Sequence, residues 1–406
     1  VLMDVATGTI LYESNSHERL APASVTKVMT MLLIMEAVDS GKIALTDMVT
    51  ASEAAAAKGG SQIYLKAGET MSVSDMLKSI AVSSANDCAC AMAEHIAGSE
   101  SAFVAMMNQR AQELGMNDTS FVNCTGLDDG TDAVNHRTSA YDIALMSRQL
   151  LEYHPLIKNY TTIWMDTVRG GTFGLSNTNK LIRFYDGATG LKTGYTDEAG
   201  RCLLASAIKD GRRLISVVLG CTTKEVNGET RLMNFVDSAT LLDWGYNNFT
   251  VQTVFTKDDL IQEIPVLLSK ETSAVLVHTA EDVNILLPND VTTDMLERKV
   301  TVYGDTAFAP IEAGQELGEM TLSYDGYDYA TVKLLAADSV SVNRFLQGKY
   351  LLSQFFSKPL VKILTVVVIL LVLAVVVWVR MLRPKSRYGS RGRRNRGTRN
   401  YRGRRR

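Results

Sequence analysis

The chain has 406 residues, 46% of them hydrophobic and 21% charged, with a formal net charge of -2. That balance suits a globular protein of two domains plus something extra, and the five cysteines, Cys88, Cys90, Cys124, Cys202 and Cys221, are odd in number and irregularly spaced, which fits neither a disulfide framework nor a zinc pattern. The near-neutral total hides a split: residues 380–406 carry 13 Lys or Arg and no acid, leaving 29 basic residues against 44 acidic ones in the rest.

In chain order, Val1–Val5 and Thr9–Tyr12 read as two strands around a tight turn at Gly8. The chain opens at Val1 with neither a Met nor an apolar signal segment, from which we expect processing or a cut close to the start of the domain. Next comes Pro22-Ala23-Ser24-Val25-Thr26-Lys27, a turn running into the apolar stretch Val28, Met29, Met31, Leu32, Leu33 and Ile34. It predicts the N-terminal end of a buried helix that Gly41 closes. Residues three apart on a helix share a face, so the spacing puts the Ser24 hydroxyl beside the Lys27 ammonium. A serine hydroxyl needs a neighbour to take its proton, and a lysine does this only when burial and nearby positive charge lower its pKa. The same spacing recurs at Ser206 and Lys209, but within a strand pattern, where residues three apart face opposite sides.

Met71–Ala81, Asn86–Ala97 and Ala102–Leu114 predict three helices, the last two closed by Gly98 and Gly115. Between the first and second lies Ser83-Ser84-Ala85-Asn86-Asp87. Ser and Asn at a helix start are ordinarily caps, and Ser341-Val342-Asn343 repeats the letters. A loop between apolar helices, however, brings the Ser84 hydroxyl and the Asn86 amide to a cleft.

Gly190–Thr196 reads as a strand leading into a hairpin, Cys202–Ile208 and Arg213–Leu219 around Asp210-Gly211. Within it, Lys192-Thr193-Gly194 offers an ammonium and a hydroxyl for an anion and a glycine that leaves room for substrate backbone. The alternative is an edge lysine followed by a turn glycine. Phe235–Gly245 predicts a helix packing back on this sheet. From Val251 to Val342 short alternating runs between Gly, Pro and Asp predict a small all-β sandwich. Ile363–Val379 is a run of 17 residues without charge, extended by Leu360 and Val361 beside Lys362. It is long enough to span a bilayer with Lys362 snorkelling, and the positive-inside rule puts the Arg-rich tail in the cytoplasm.

Ser24-x-x-Lys27, Ser84-x-Asn86 and Lys192-Thr193-Gly194, in that order, are the three motifs of penicillin-binding proteins and class A β-lactamases. With Leu20-Ala-Pro-Ala-Ser-Val-Thr-Lys27, Gly60-Ser-Gln-Ile-Tyr-Leu-Lys-Ala-Gly68, Asn177-Thr-Asn-Lys-Leu181 and Gly190–Gly200, the chain closely resembles the low-molecular-mass D-alanyl-D-alanine carboxypeptidases, strongly over residues 1–250 and loosely beyond. The resemblance implies an α/β (α+β) transpeptidase-like fold with an antiparallel sheet and a helical subdomain over 1–250. A β-rich accessory domain (251–345), a connector (346–359), a transmembrane helix (360–380) and a basic cytoplasmic tail (381–406) complete the expected organisation.

By that resemblance Ser24 attacks the carbonyl between the terminal D-alanines of a peptidoglycan stem peptide, and β-lactams acylate it. Lys27 takes its proton, Ser84 relays a proton to the leaving amine, and Asn86 positions Lys27 and the substrate amide. Lys192 and Thr193 hold the terminal carboxylate, and the backbone N–H groups of Ser24 and Tyr195 form an oxyanion hole. No metal or cofactor is implied. Two departures stand out. The family's Arg before the helix ending in Trp-Gly, which helps bind the substrate carboxylate, falls, counting back from Trp244, on Asn234, which leaves Arg231, the nearest arginine, as the candidate for that role. The usual amphipathic membrane attachment is replaced by a full span, placing the enzyme at the bacterial cell membrane with its catalytic domain outside. For the tail, a stop-transfer anchor with a solvated end is favoured over binding to anionic lipid or RNA. Competing readings are a β-lactamase, a penicillin-binding sensor or scaffold with little turnover, and a Ser/Lys protease, which Lys192-Thr193-Gly194 disfavours.

Overall fold

Alternating apolar residues at both ends of the first half of the chain meet in one sheet. In the computed structural model, which describes residues 1–128, 132–226, 228–257, 259–304 and 306–382, Leu2–Asp4 (β1), Ile10–Tyr12 (β2), Ala188–Thr196 (β3), Gly200–Lys209 (β4) and Arg212–Cys221 (β5) form a five-stranded sheet. Its order is β2-β1-β5-β4-β3, with every pair antiparallel. The N-terminal hairpin thus closes on the last strand through Leu2 opposite Ser216, and β3, which carries Lys192, is left as an edge strand.

Helix Lys27–Asp39 (α1) is apolar around its whole circumference, and Val28, Met29, Met31, Leu32, Leu33 and Ile34 are all buried. Such a helix can only sit inside. Around it pack Val73–Ser83 (α2), Asn86–Ala97 (α3), Glu100–Glu113 (α4) and Ala140–Tyr153 (α5), on one side of the sheet. Met233–Asn248 (α6) covers the opposite face, where Leu242 and Tyr246 meet Leu2, Leu203 and Leu214. These elements, with Asn284–Met295, make up one of the two units into which the chain divides.

Some details depart from the sequence reading. α2 begins at Val73 instead of Met71, because Thr70–Ser72 pairs with Met48–Thr50 and the Ser72 hydroxyl caps the helix by accepting the Asp75 N–H. α5 is not anticipated at all. Ser206, the second serine of the Ser-x-x-Lys pattern, lies buried on β4 and accepts a hydrogen bond from Thr189 Oγ1.

The second unit runs from Thr253 to Val283 and from Leu296 on. Its six-stranded sheet has the order 297–302, 316–324, 327–336, 274–279, 262–267 and 307–308, around Ile264, Val277, Met320, Leu322 and Leu334. Arg344–Ser357 (α7) and Pro359–Leu382 (α8) follow. α8 has 24 residues, including an 18-residue stretch with a mean hydropathy of 3.3 and no buried share, and is long and apolar enough to cross a membrane. The basic tail expected over 381–406 lies, from residue 383, outside the described residues.

The entry to α1 is not yet α-helical. Ala23–Thr26 forms a single 3₁₀ turn that starts from Ala23 at φ +48°, a conformation a residue with a β carbon keeps only when its surroundings impose it. The imposing contacts come from Val122, Gly126 and His136. The Val122 N–H donates to His136 Nδ1 (3.2 Å), which leaves the proton on Nε2; Nε2 donates to Thr26 Oγ1 (2.8 Å), and the Thr26 hydroxyl donates to the Ala23 carbonyl (2.8 Å). Gly126, at φ +81°, packs so tightly there that a β carbon would overlap the Ala23 carbonyl.

This relay needs neutral His136, and burial, then Arg137 and Lys27, depress its pKa from 6.5 to about 4. Between those values the unfolded chain binds a proton that the folded chain refuses. The His136 contribution is therefore present above pH 6.5 and lost as pH falls to about 4, on the order of 3 kcal/mol. Thermal unfolding from pH 8 to 4 should show this slope, flattened in His136→Gln; an identical slope in both proteins would refute the assignment.

Candidate active site

The helical turn predicted at Ser24 sets its hydroxyl directly against Lys27. Lys27 Nζ, fully buried, donates to Ser24 Oγ at 2.9 Å and to the Thr125 carbonyl at 2.7 Å. The Thr125 carbonyl is held by a tight turn in which Asn123 Oδ1 accepts the N–H groups of Thr125 (3.1 Å) and Gly126 (2.7 Å). Thr30 on α1 donates to the adjacent Cys124 carbonyl at 2.7 Å, which ties this turn to α1.

β3 lies along the other side of Ser24. At Gly194 a β carbon would fall 2.9 Å from the Pro22 carbonyl oxygen and 3.1 Å from the Ser24 nitrogen. Only glycine permits that approach, which brings the backbone at Gly194 and Tyr195 beside the Ser24 N–H. Lys192, also buried, donates to the Thr193 carbonyl at 3.0 Å. The Thr193 hydroxyl donates to Thr178 Oγ1 (2.6 Å), and the Thr178 N–H donates to the Val82 carbonyl (3.3 Å), which ties β3 to the end of α2.

α2 ends at Ser84, left-handed at φ +61°, and α3 begins at Asn86. Asn86 Nδ2 donates to the Gly59 carbonyl (2.8 Å) and its backbone N–H to the Ser61 carbonyl (2.7 Å). The loop it holds is fixed again by Asp87, whose buried carboxylate accepts the N–H groups of Ile63, Leu65 and Cys88. Ser84 Oγ and Asn86 Oδ1 are buried and have no hydrogen-bond partner. Buried polar atoms left this way are costly and are the groups an incoming peptide can satisfy.

The electrostatics follow from what surrounds the two lysines. Burial first, and then the Lys192 ammonium, hold Lys27 well below the usual lysine range, against smaller opposing effects of Cys124 and Asp87. Burial alone brings Lys192 down to about 7. A neutral Lys27 amine bonded to a serine hydroxyl is a base next to its nucleophile. Among the described residues no group of three or more His, Cys, Asp or Glu is placed to hold a metal ion, and all five cysteines are free thiols.

Ser24, Lys27, Lys192 and Gly194 therefore stand together, Thr193 is tied through Thr178 to Val82 near Ser84, and Asn86 is held by the 59–65 loop. The Tyr195 side chain is exposed, and its hydroxyl donates to Asp197. Arg231 makes no hydrogen bond or ion pair with these residues. It lies on Glu229–Leu232, in a separate two-stranded sheet with Thr223–Val226, and among the described residues it pairs with Glu229 at 3.8 Å. Asn234 is buried at the start of α6. Sequence reasoning missed Asp87, Thr125, His136 and Thr178. Only Asp87 carried a signal, as an acid in the first turn of a helix whose carboxylate had to be accounted for.

Comparison with known proteins agrees with this arrangement. The family described as D-alanyl-D-alanine carboxypeptidase matches residues 1–223, and the C-terminal domain of penicillin-binding protein 5 matches residues 249–342. The chain is 43% identical to the D-alanyl-D-alanine carboxypeptidase DacF of Bacillus subtilis (strain 168), over 85% of this chain and 86% of that protein. Among solved structures it resembles penicillin-binding protein 5 of Haemophilus influenzae, with a TM-score of 0.70 and 31% identity over 84% of this chain and 96% of the other. It also resembles penicillin-binding protein D2 of Listeria monocytogenes in its ampicillin-bound form, with a TM-score of 0.53 and 32% identity over 60% of this chain and 95% of the other. A buried lysine with its pKa depressed, bonded to a serine and accompanied by a second buried lysine on an edge strand, is thus found in a chain that belongs to the D-alanyl-D-alanine carboxypeptidase family.

Proposed function

We propose that the protein is a serine D-alanyl-D-alanine carboxypeptidase that shortens peptidoglycan stem peptides and is acylated by β-lactams. The observation that carries this reading is the 2.9 Å hydrogen bond between the buried Lys27 amine and the Ser24 hydroxyl. Lys27 takes the Ser24 proton as Oγ attacks the carbonyl between the two D-alanines. Negative charge develops on the carbonyl oxygen, and the Ser24 and Tyr195 N–H groups stabilise it, a donor of this kind contributing about 3 to 4 kcal/mol. Ser84 passes its proton to the leaving amine and is reprotonated by the proton Lys27 took from Ser24, and D-alanine departs with its carboxylate held by Lys192 and Thr193. Asn86 Oδ1, otherwise unpartnered, accepts from the substrate amide. Water then attacks the ester, with Lys27 again taking a proton and passing it to Ser24 Oγ as the ester bond breaks, which frees the shortened peptide and restores the enzyme.

The organisation that goes with this reading has the catalytic domain over 1–250, the accessory β domain over 251–345 and a connector over 346–359. α8 anchors the protein in the bacterial cell membrane, with the catalytic domain outside and residues 381–406 in the cytoplasm, as the charge asymmetry favours. Deleting residues 358–406 should leave a soluble, active body; loss of activity in well-folded truncated protein would contradict the anchor assignment.

D-alanine release from a synthetic peptide ending in D-Ala-D-Ala tests the activity itself. Steady release is expected, falling by about 10⁴-fold or more in Ser24→Ala. A single stoichiometric burst would instead indicate a sensor that keeps its acyl group. The pairing of the lysines makes a second prediction. Removing the Lys192 charge relieves repulsion on the Lys27 ammonium, so Lys27 keeps its proton to higher pH. In Lys192→Gln the acid limb of the rate of Ser24 acylation by a fluorescent penicillin should therefore move to higher pH. A limb that stays or moves down would show that Lys192 does not tune the base.

A further inference from the structure

The carboxypeptidase reading leaves one group unassigned, the cation that tells a free C-terminal carboxylate from a blocked one. Lys192 supplies charge, but its pKa of about 7 leaves it partly neutral near neutral pH. Asn234 is neutral, and Arg231 faces Glu229 on a separate sheet.

Another arginine stands one strand from the site. β3 and β4 pair with Thr193 opposite Leu203 and Tyr195 opposite Arg201. Opposed residues of an antiparallel pair share a face, and so do residues two apart on one strand. Thr193, Tyr195 and Arg201 therefore stand on one face of the sheet, with Arg201 diagonal to Thr193 at a Cα separation of about 7 to 8 Å, within reach of a long side chain. The guanidinium turns toward the edge strand, its carbon 4.8 Å from the centroid of the Tyr195 ring. An aromatic face holds a guanidinium flat without using up its N–H donors.

Those donors are free because neighbouring acids are engaged elsewhere. Asp197 accepts the Tyr195 hydroxyl at 2.9 Å, and Glu198 pairs with Arg137. No carboxylate among the described residues forms an ion pair with Arg201. A planar donor fork without an anion, on the face and within reach of the Thr193 hydroxyl at a sheet edge, is a receptor for a carboxylate.

We propose that Arg201 binds the carboxylate of the terminal D-alanine together with Thr193 and Lys192, and that Arg201, not Arg231, makes the enzyme select a free C-terminus. The proposal rests on the carboxypeptidase reading above. The test separates the two. Turnover by the wild-type chain tests the activity, whereas selection is read by binding to the full chain carrying Ser24→Ala, in detergent. The probes are a synthetic pentapeptide ending in D-Ala-D-Ala as free acid and the same peptide as C-terminal amide. The acid should bind more tightly than the amide. Arg201→Gln should weaken acid binding by about 10- to 100-fold, as expected for hydrogen bonds to a charged group, and leave amide binding unchanged. Arg201→Lys should recover part of the loss as a point charge, and Arg231→Gln should change neither peptide. Thermal unfolding midpoints report whether each variant is folded. Equal losses for acid and amide, no loss in folded Arg201→Gln, or a loss specific to Arg231→Gln would each overturn the assignment, whatever the wild-type turnover.

Discussion

Two lysines that cannot both stay charged are buried in one cleft, and the surrounding fold is built to tolerate them. Burying an ammonium without a counter-ion is so unfavourable that the group gives up its proton instead. The acceptors offered to Lys27 are a hydroxyl and a carbonyl, and the one offered to Lys192 is a carbonyl. A carboxylate in contact would keep Lys27 protonated and useless as a base. The nearby Asp87 is buried too, but its oxygens are occupied by the N–H groups of Ile63, Leu65 and Cys88. One acidic side chain thus organises the 59–65 loop without touching the amine.

The cleft is also held in backbone conformations that ordinary residues avoid. Ala23, immediately before the nucleophile, and Ser84 both have positive φ, each costing on the order of 1 to 3 kcal/mol. At Ala23 the opposing contacts are the Thr26 hydroxyl, His136 behind it and the close approach of Gly126. At Ser84 the flanking backbone is pinned by Ala85 N–H to Ser79 and Asn86 N–H to Ser61. Strain at Ala23 is therefore offset by residues distant in sequence, and strain at Ser84 by bonds to the preceding helical turn and to the 59–65 loop, so the site exists only once these segments have packed together.

That distance explains what the sequence could and could not reveal. Ser24 and Lys27 were legible because three residues on a helix is a local relation, and the strand at Lys192 was legible from alternation and its turn glycines. The Thr193–Thr178 bond and the Thr26–His136 bond join residues 15 and 110 positions apart, and nothing in the local letters announces either. Counting back from Trp244 found Asn234, but not its burial. Arg201 reads in sequence as the first polar residue after a turn, and its relation to Tyr195 exists only once β3 and β4 have paired in their particular register.

The C-terminal part follows simpler physics. α7 and α8 are separated at Lys358, which is extended (ψ 131°), and Pro359 begins α8, the position where a missing N–H costs a helix nothing. Between Lys362 and Arg380 lie 17 uncharged residues, which as a helix rise about 26 Å, close to the hydrocarbon thickness of a bilayer once both end charges snorkel outward. Neither end charge has a salt-bridge partner among the described residues. In the anchoring reading they need none, because each reaches a headgroup region on its own side. The apolar residues that remain exposed along this helix, from Leu364 to Val379, are then covered by lipid, and the large exposed area that would be a liability in water becomes the reason the segment stays in the membrane.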